Sequence, residues 1–242
     1  MTKSKPSNLN TYLKLEYTDK NSIWLTNSLT LRKIVGVLGM SMPILLYVFL
    51  YFDSGLHHPL ASISHYYFTR VSSIFIIILS LLAFFLIIYK GKNPVDFYIS
   101  LFAGVFALLV ILFPTSNITE LCGDASKKYA VTILPKSDFR MYLHYTAAGL
   151  FFICLSYMSF FLFTKSNKDP EQRGTKKNIR NRIYRTCGIL MVLAVLILFA
   201  GSLNIIPQTF FSTFQLTFWM ETLAIESFGF AWLVKGETLF KD

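Results

Sequence analysis

Six apolar stretches, each long enough to cross a bilayer, divide this chain and dictate what it can fold into. They run over about residues 34–52, 71–89, 97–114, 141–163, 186–206 and 210–234. A membrane-crossing helix needs about 20 predominantly apolar residues. Only 15% of the residues are charged, against roughly 25% in a soluble domain. The shortfall is concentrated in these runs. The first, second, third and fifth contain no Asp, Glu, Lys or Arg, the fourth contains only His144, and the sixth carries Glu221 and Glu226. The expected fold is all-α and polytopic, six transmembrane helices in one bundle. A domain of residues 34–235 is flanked by an N-terminal segment, 1–33, and a tail, 236–242.

Charge sets the expected orientation. With six spans, successive loops alternate sides. Of the 23 Lys and Arg residues, 18 fall on the side of both termini. Six lie before the first span, from Lys3 to Lys33, and eight lie between Lys165 and Arg185. Lys90, Lys92, Lys235 and Lys241 complete the set. The other side holds Arg70, Lys127, Lys128, Lys136 and Arg140. Cytoplasmic loops carry the Lys/Arg excess, so both termini are expected in the cytoplasm. The net charge of +10 follows from that asymmetry, and no nucleic-acid partner is expected, because the basic run has no interleaved aromatics beyond Tyr184. Residues 1–33 lack the apolar centre and small-residue cleavage site of a signal peptide, so the first span serves as its own insertion signal. The N-terminal segment reads equally as an interfacial helix or a disordered tail. Usage rich in Lys, Asn, Ile and Phe fits an AT-rich bacterial genome, so a bacterial cytoplasmic membrane is the expected location.

Small residues suggest which spans touch. Gly36 and Gly39 mark the first span, which also holds Pro43, a residue that removes a backbone bond and kinks a membrane helix. Ala103, Gly104 and Ala107 in the third span face Ala147, Ala148 and Gly149 in the fourth by expectation, since small residues let membrane helices pack closely. Cys122 lies outside, Cys154 in the fourth span and Cys187 near the start of the fifth, so no disulfide framework arises. The second outer loop also carries the sequon Asn117-Ile118-Thr119. No internal repeat relates the two halves.

The carboxylates are the first candidate site, because an ionisable group in hydrocarbon is costly and calls for a partner, a proton or a ligand. With the sixth span starting near residue 210, Glu221 falls about 16 Å deep, close to the midplane of a core about 30 Å thick. Glu226 lies roughly 140° further round the helix, so one carboxyl is expected to face a central cavity and the other a neighbouring span. Thr217 and Thr222 stand one turn before each Glu as candidate partners. Two readings stay open, a proton site or ligand anchor and a structural hydrogen bond.

The second candidate is an outer-face set for a lipid head group, Tyr66, Tyr67, Arg70, Arg140 and His144. The arginines would be the charge donors, and the alternative is simple anchoring at head-group level. His57, His58 and His65 lie in one loop, but their spacing fits no closed zinc site, so no metal is expected. Ser64 and His65 are adjacent, which is not a nucleophile–base geometry. No G-x-S-x-G, H-E-x-x-H or phosphate-binding Gly loop is present.

The order of several short elements resembles a known group. The first outer loop holds Ile63-Ser64, and the second span has an early Phe75. The third span closes on Leu112-Phe113-Pro114, and the fourth opens on His144-Tyr145-Thr146-Ala147-Ala148 with Phe151-Phe152 following. Together these resemble the six-span proteins of the damage-regulated autophagy modulator (DRAM) and GPI-lipid-remodelling type, with their bacterial relatives. His65 stands where the eukaryotic members carry an acidic residue. The resemblance implies a compact six-helix membrane domain with a lipid-related or regulatory role, and no established catalytic residue.

The function expected from these features is non-enzymatic, the binding or sensing of a lipid or other amphiphile, with no catalytic residue and no cofactor. The rivals are a small proton-coupled transporter using Glu221 and a lipid-modifying enzyme. Transporters build their sites on broken helices and inverted repeats, whereas the sixth span reads as unbroken. Membrane lipids are the expected partners, with a homo-oligomer or a membrane partner protein left open.

Overall fold

The computed structural model describes residues 28–91, 93–118, 128–166 and 174–239. Cys122 and nearly all of the N-terminal segment lie outside them. The long helices are α1 (Ser28–Ser54), α2 (Ser72–Ile88), α3 (Pro94–Leu112), α4 (Asp138–Tyr157), α5 (Thr175–Ser202) and α7 (Leu216–Lys235), with a short α6 (Gln208–Thr213) before the last. Among the described residues there is no strand, only a bridge pairing Thr69 with Ala130.

Four helices are long and apolar enough to cross a membrane: α1, α3, α4 with its continuation to Leu162, and α5. The apolar helix α2 has 17 residues and reaches about 26 Å. Large apolar side chains such as Ile44, Phe84, Phe102, Leu112, Ile153 and Leu196 stand exposed on the outside of the bundle. Water does not tolerate a belt of that extent on a monomer, whereas lipid does. The chain is a multi-pass membrane protein.

The long helices form a ring in chain order. Each packs on its predecessor and successor, and α7 returns to pack on α1. Glycine makes that closure possible. A Cβ on Gly36 would lie 2.8 Å from the carbonyl oxygen of Gly229, and one on Gly229 would lie 2.8 Å from that of Gly36. The third and fourth spans are neighbours, but their glycines are not the reason. Gly104 instead faces α2, where an added Cβ would meet the Ala83 carbonyl at 2.7 Å, and Gly149 has open space around it.

Polar side chains make the remaining joints. Ser156 and Ser159 donate to the carbonyls of Gly188 and Tyr184, 2.9 and 2.8 Å away on α5. Just after Ser156, α4 loosens into a π turn over Met158–Leu162, which contains Ser159. Asp96 lies in the first turn of α3, accepting from the Asn93 N–H at 3.3 Å and from Lys165 at 2.8 Å. The Asn117 amide donates to the Leu134 carbonyl at 2.7 Å and accepts from its N–H at 2.9 Å. That side chain is therefore spent inside the protein.

Two boundaries differ from the hydropathy reading. The fifth helix begins at Thr175 rather than near 186, because the basic segment 175–185 is itself helical and turns Arg180, Asn181 and Tyr184 inward. The sixth span is not one helix from 210. Gln215, at φ 50° in the left-handed region, separates α6 from α7, and a non-glycine residue adopts that conformation rarely.

Candidate functional site

The break before α7 moves Glu221. It lies five residues after the first residue of α7, about 7 Å along the axis rather than 16 Å. Glu226 is the carboxylate at mid-helix. The two point opposite ways. Glu221 faces the ring's interior, where it lines a cavity, while Glu226 is half-buried on the side of the helix that carries the exposed Trp219.

The partners of Glu221 come from the loop between α1 and α2. Ile63 N–H donates to Oε2 at 2.6 Å, and the Ser62 hydroxyl donates to Oε1 at 3.2 Å. Neither Thr217 nor Thr222 bonds to a glutamate, and the Thr222 hydroxyl has no hydrogen-bond partner among the described residues. The sequence offered no signal for Ile63 as a partner, since a backbone N–H belongs to every residue but proline.

These bonds hold a plug. Residues 60–69 fold back between the helices, and Leu60, Ile63, Tyr66, Phe68 and Thr69 are each at most 2% exposed. The loop must satisfy its own backbone there, because water is excluded. Ser62 Oγ accepts from the Ser64 N–H at 3.0 Å, starting a 3₁₀ turn over Ile63–Phe68. Thr69 Oγ1 donates to the Tyr66 carbonyl at 2.8 Å, and the Phe68 carbonyl accepts from Val131 N–H at 2.8 Å. The Ala61 carbonyl accepts the Phe218 N–H at 3.0 Å. That bond caps the first turn of α7, which has no side-chain cap.

Beneath the plug lies a cavity of about 40 Å³. Its walls include Met42, Phe75, Leu82, Phe151 and Phe228, and its polar lining is Ser64 and Glu221. His65, the next residue after Ser64, is buried, and both its ring nitrogens lack hydrogen-bond partners among the described residues. Burial, with His144 nearby, holds this imidazole down at about 4, so it is neutral at physiological pH. Ser64 and His65 therefore form no nucleophile–base pair.

The outer-face set does not converge. Tyr66 is wholly buried in the plug, and Tyr67 packs edge-on against Phe68 at 5.3 Å. Arg70 pairs with Asp53 at 3.3 Å near the surface. Arg140 donates through Nε to the Pro114 carbonyl at 3.0 Å and through Nη1 to that of Pro135 at 2.7 Å. His144 bonds through Nδ1 to the Phe113 carbonyl at 2.8 Å. Arg140 and His144 thus hold loop backbone. His57 packs edge-on to Tyr51, His58 meets the Pro59 carbonyl, and no three metal-ligating side chains meet among the described residues.

No family model matches the chain, and no curated protein or solved structure is significantly similar to it.

Proposed function

We propose that this is a six-span protein of the bacterial cytoplasmic membrane, both termini inside, that binds a lipid or other amphiphile without catalysis. Helices α2 and α7 supply the spans beyond the four longest. Two glutamates lower the mean hydropathy of α7, but its 20 residues reach about 30 Å, a full hydrocarbon core. The Lys/Arg asymmetry supports the orientation.

The observation that carries the binding role is the cavity, with apolar walls and a polar end at the plug. At about 40 Å³ it is well below the roughly 150 Å³ that accepts benzene. It takes the tip of an alkyl chain as it stands, and a longer segment requires the plug to lift. The elements resembling the DRAM-type proteins support the same reading, since Ile63-Ser64 forms the plug and lines the cavity. Native mass spectrometry of the purified protein tests it. The wild type should retain an amphiphile, and Ala148→Phe, which fills the cavity from its wall, should lose it. A wild type free of any amphiphile overturns the proposal.

The break at Gln215 favours a second reading, a proton-coupled transporter using Glu221, because transporters place sites at discontinuous helices. The position of Glu221 in the second turn of α7, bonded to loop donors, weighs against it.

A further inference from the structure

The opposite end of the ring carries a second polar feature that the plug and its cavity do not use. The start of α1 and the end of α7 meet there so closely that a Cβ on Gly236 would lie 3.1 Å from the Lys33 nitrogen. Four aromatic rings form one cluster at this end. Tyr89 packs edge-on to Trp232 at 5.1 Å, Trp232 edge-on to Phe163 at 5.3 Å, and Phe163 edge-on to Tyr184 at 5.6 Å. Two cations sit on that cluster. The Arg32 guanidinium carbon is 6.0 Å from the Tyr89 centroid, and Lys235 Nζ is 5.3 Å from that of Phe163 and 5.9 Å from that of Tyr184.

Two donors in this cluster have no acceptor. Arg32 Nε and Trp232 Nε1 are both buried without a hydrogen-bond partner among the described residues, and Trp232 is 1% exposed. Buried donors are almost always paired, and leaving one unmade is costly. Several acceptors nearby already hold other donors, and the Tyr89 hydroxyl lies beside another part of the Arg32 guanidinium. The Lys235 carbonyl takes Arg32 Nη1 at 3.5 Å, the Phe163 carbonyl takes Lys235 Nζ at 3.3 Å, and Asp96 takes Lys165 at 2.8 Å. A group with several acceptor oxygens would satisfy both of these donors, and the two cations beside them favour one that is negatively charged.

We propose that Arg32, Trp232 and Lys235 form a binding site for one phosphate group, with Arg32 Nε and Trp232 Nε1 as hydrogen-bond donors and Lys235 as added charge. A guanidinium matches phosphate through its planar fork, and the indole N–H is a donor only. The phosphate comes from an anionic lipid head group or from solution, and both sources satisfy the same donors. The site is independent of the outer cavity.

The test places the full-length protein in phosphatidylcholine nanodiscs with and without phosphatidylglycerol, and in phosphatidylcholine alone with inorganic phosphate. Wild type should melt higher with phosphatidylglycerol and retain one such molecule in native mass spectrometry. A rise with inorganic phosphate as well assigns the free anion as a ligand, and a rise with phosphatidylglycerol alone assigns the lipid. Trp232→Phe keeps the ring and removes the donor, and Arg32→Lys keeps the charge and removes Nε. Each should weaken retention by about tenfold, the equivalent of one charge-assisted hydrogen bond, while Lys33→Gln stays within about twofold. A wild type indifferent to both phosphatidylglycerol and phosphate overturns the site, whatever the variants do. Variants that retain phosphatidylglycerol as well as the wild type overturn it too.

Discussion

Replacing Glu221 tests whether its task is to pin the plug. Ile63 is 2% exposed and Ser62 5%, so a donor left behind by Glu221→Leu finds little water. An unsatisfied buried donor costs about 1–3 kcal/mol, and Leu orphans both the Ile63 N–H and the Ser62 hydroxyl. The expected loss is about 2–6 kcal/mol. Gln retains an acceptor for Ile63, and its amide N–H can donate to Ser62 Oγ. That oxygen already accepts from Ser64 and has a second lone pair. Exchanging charge-assisted for neutral bonds then costs about 1 kcal/mol. Unfolding by SDS in mixed micelles measures both variants. A Ser64→Cys background adds a direct view of the plug, because its thiol should react slowly with a water-soluble maleimide and faster once Glu221→Leu is added. Equal stability for the Leu and Gln variants, with the thiol protected in both, would refute the pinning argument. A Gln variant as unstable as Leu, with the thiol reactive in both, would show that the donors require the full negative charge.

Gly229→Ala should destabilise the bundle by about 1–3 kcal/mol, since its Cβ meets the Gly36 carbonyl, whereas Gly149→Ala should be silent, and SDS unfolding compares the pair. His65 bears on pH: its folded value of about 4 lies below the ordinary value of 6.5, so the unfolded chain binds the extra proton. Stability is full above about pH 6.5 and falls as pH drops toward 4, by about 2 kcal/mol between pH 7 and pH 5; a His65→Phe variant should show a flatter profile, and an unchanged slope counts against the buried neutral imidazole. For topology, a membrane-impermeant thiol reagent added outside intact cells should label Cys122; protection of Cys122, with labelling of a cysteine placed at either terminus instead, reverses the orientation, and Cys187, being buried, stays unlabelled either way.

Run length and composition were enough to read the helices α2 through α4 closely, because an apolar run flanked by polar residues marks a helix at both ends. They failed where structure departs from hydropathy. Residues 210–220, FFSTFQLTFWM, look like the opening of one span. The interruption at Gln215 is a backbone conformation, and no apolarity scale registers it. The early start of α5 was hidden for the opposite reason. Residues 175–185 are rich in Lys and Arg, good helix formers, so the segment is helical without being apolar. Arg180 and Tyr184 face inward there, and the positive-inside pattern accounts for the charge without revealing the helix. Gly104 was legible as a close-contact residue, but the helix it approaches depends on the rotation of α3, which its small residues alone do not determine.

Glu221 was legible as costly, and its partners were not, for a reason rooted in the ring itself. Long helices packed about 8–10 Å from their neighbours in a ring of this size leave its centre about that far from every axis, too wide for side chains alone to fill at every level. Towards the middle, Met42, Phe75, Phe151 and Phe228 reach across and leave the small cavity. At the end where α7 begins the filling is the loop between α1 and α2, with Tyr66 and Phe68 as its bulk. A loop buried at that depth lacks the internal ladder that a helix has, so its N–H groups need acceptors from elsewhere. The surrounding helices spend their carbonyls on themselves. A carboxylate in the second turn of α7 brings two acceptor oxygens to the level of the plug, and Ile63 and Ser62 take them. The desolvation that makes a glutamate unfavourable in hydrocarbon is offset only where donors wait for it. That makes the glutamate and the re-entrant loop a single feature, 158 residues apart between Ile63 and Glu221, each unstable at that depth without the other.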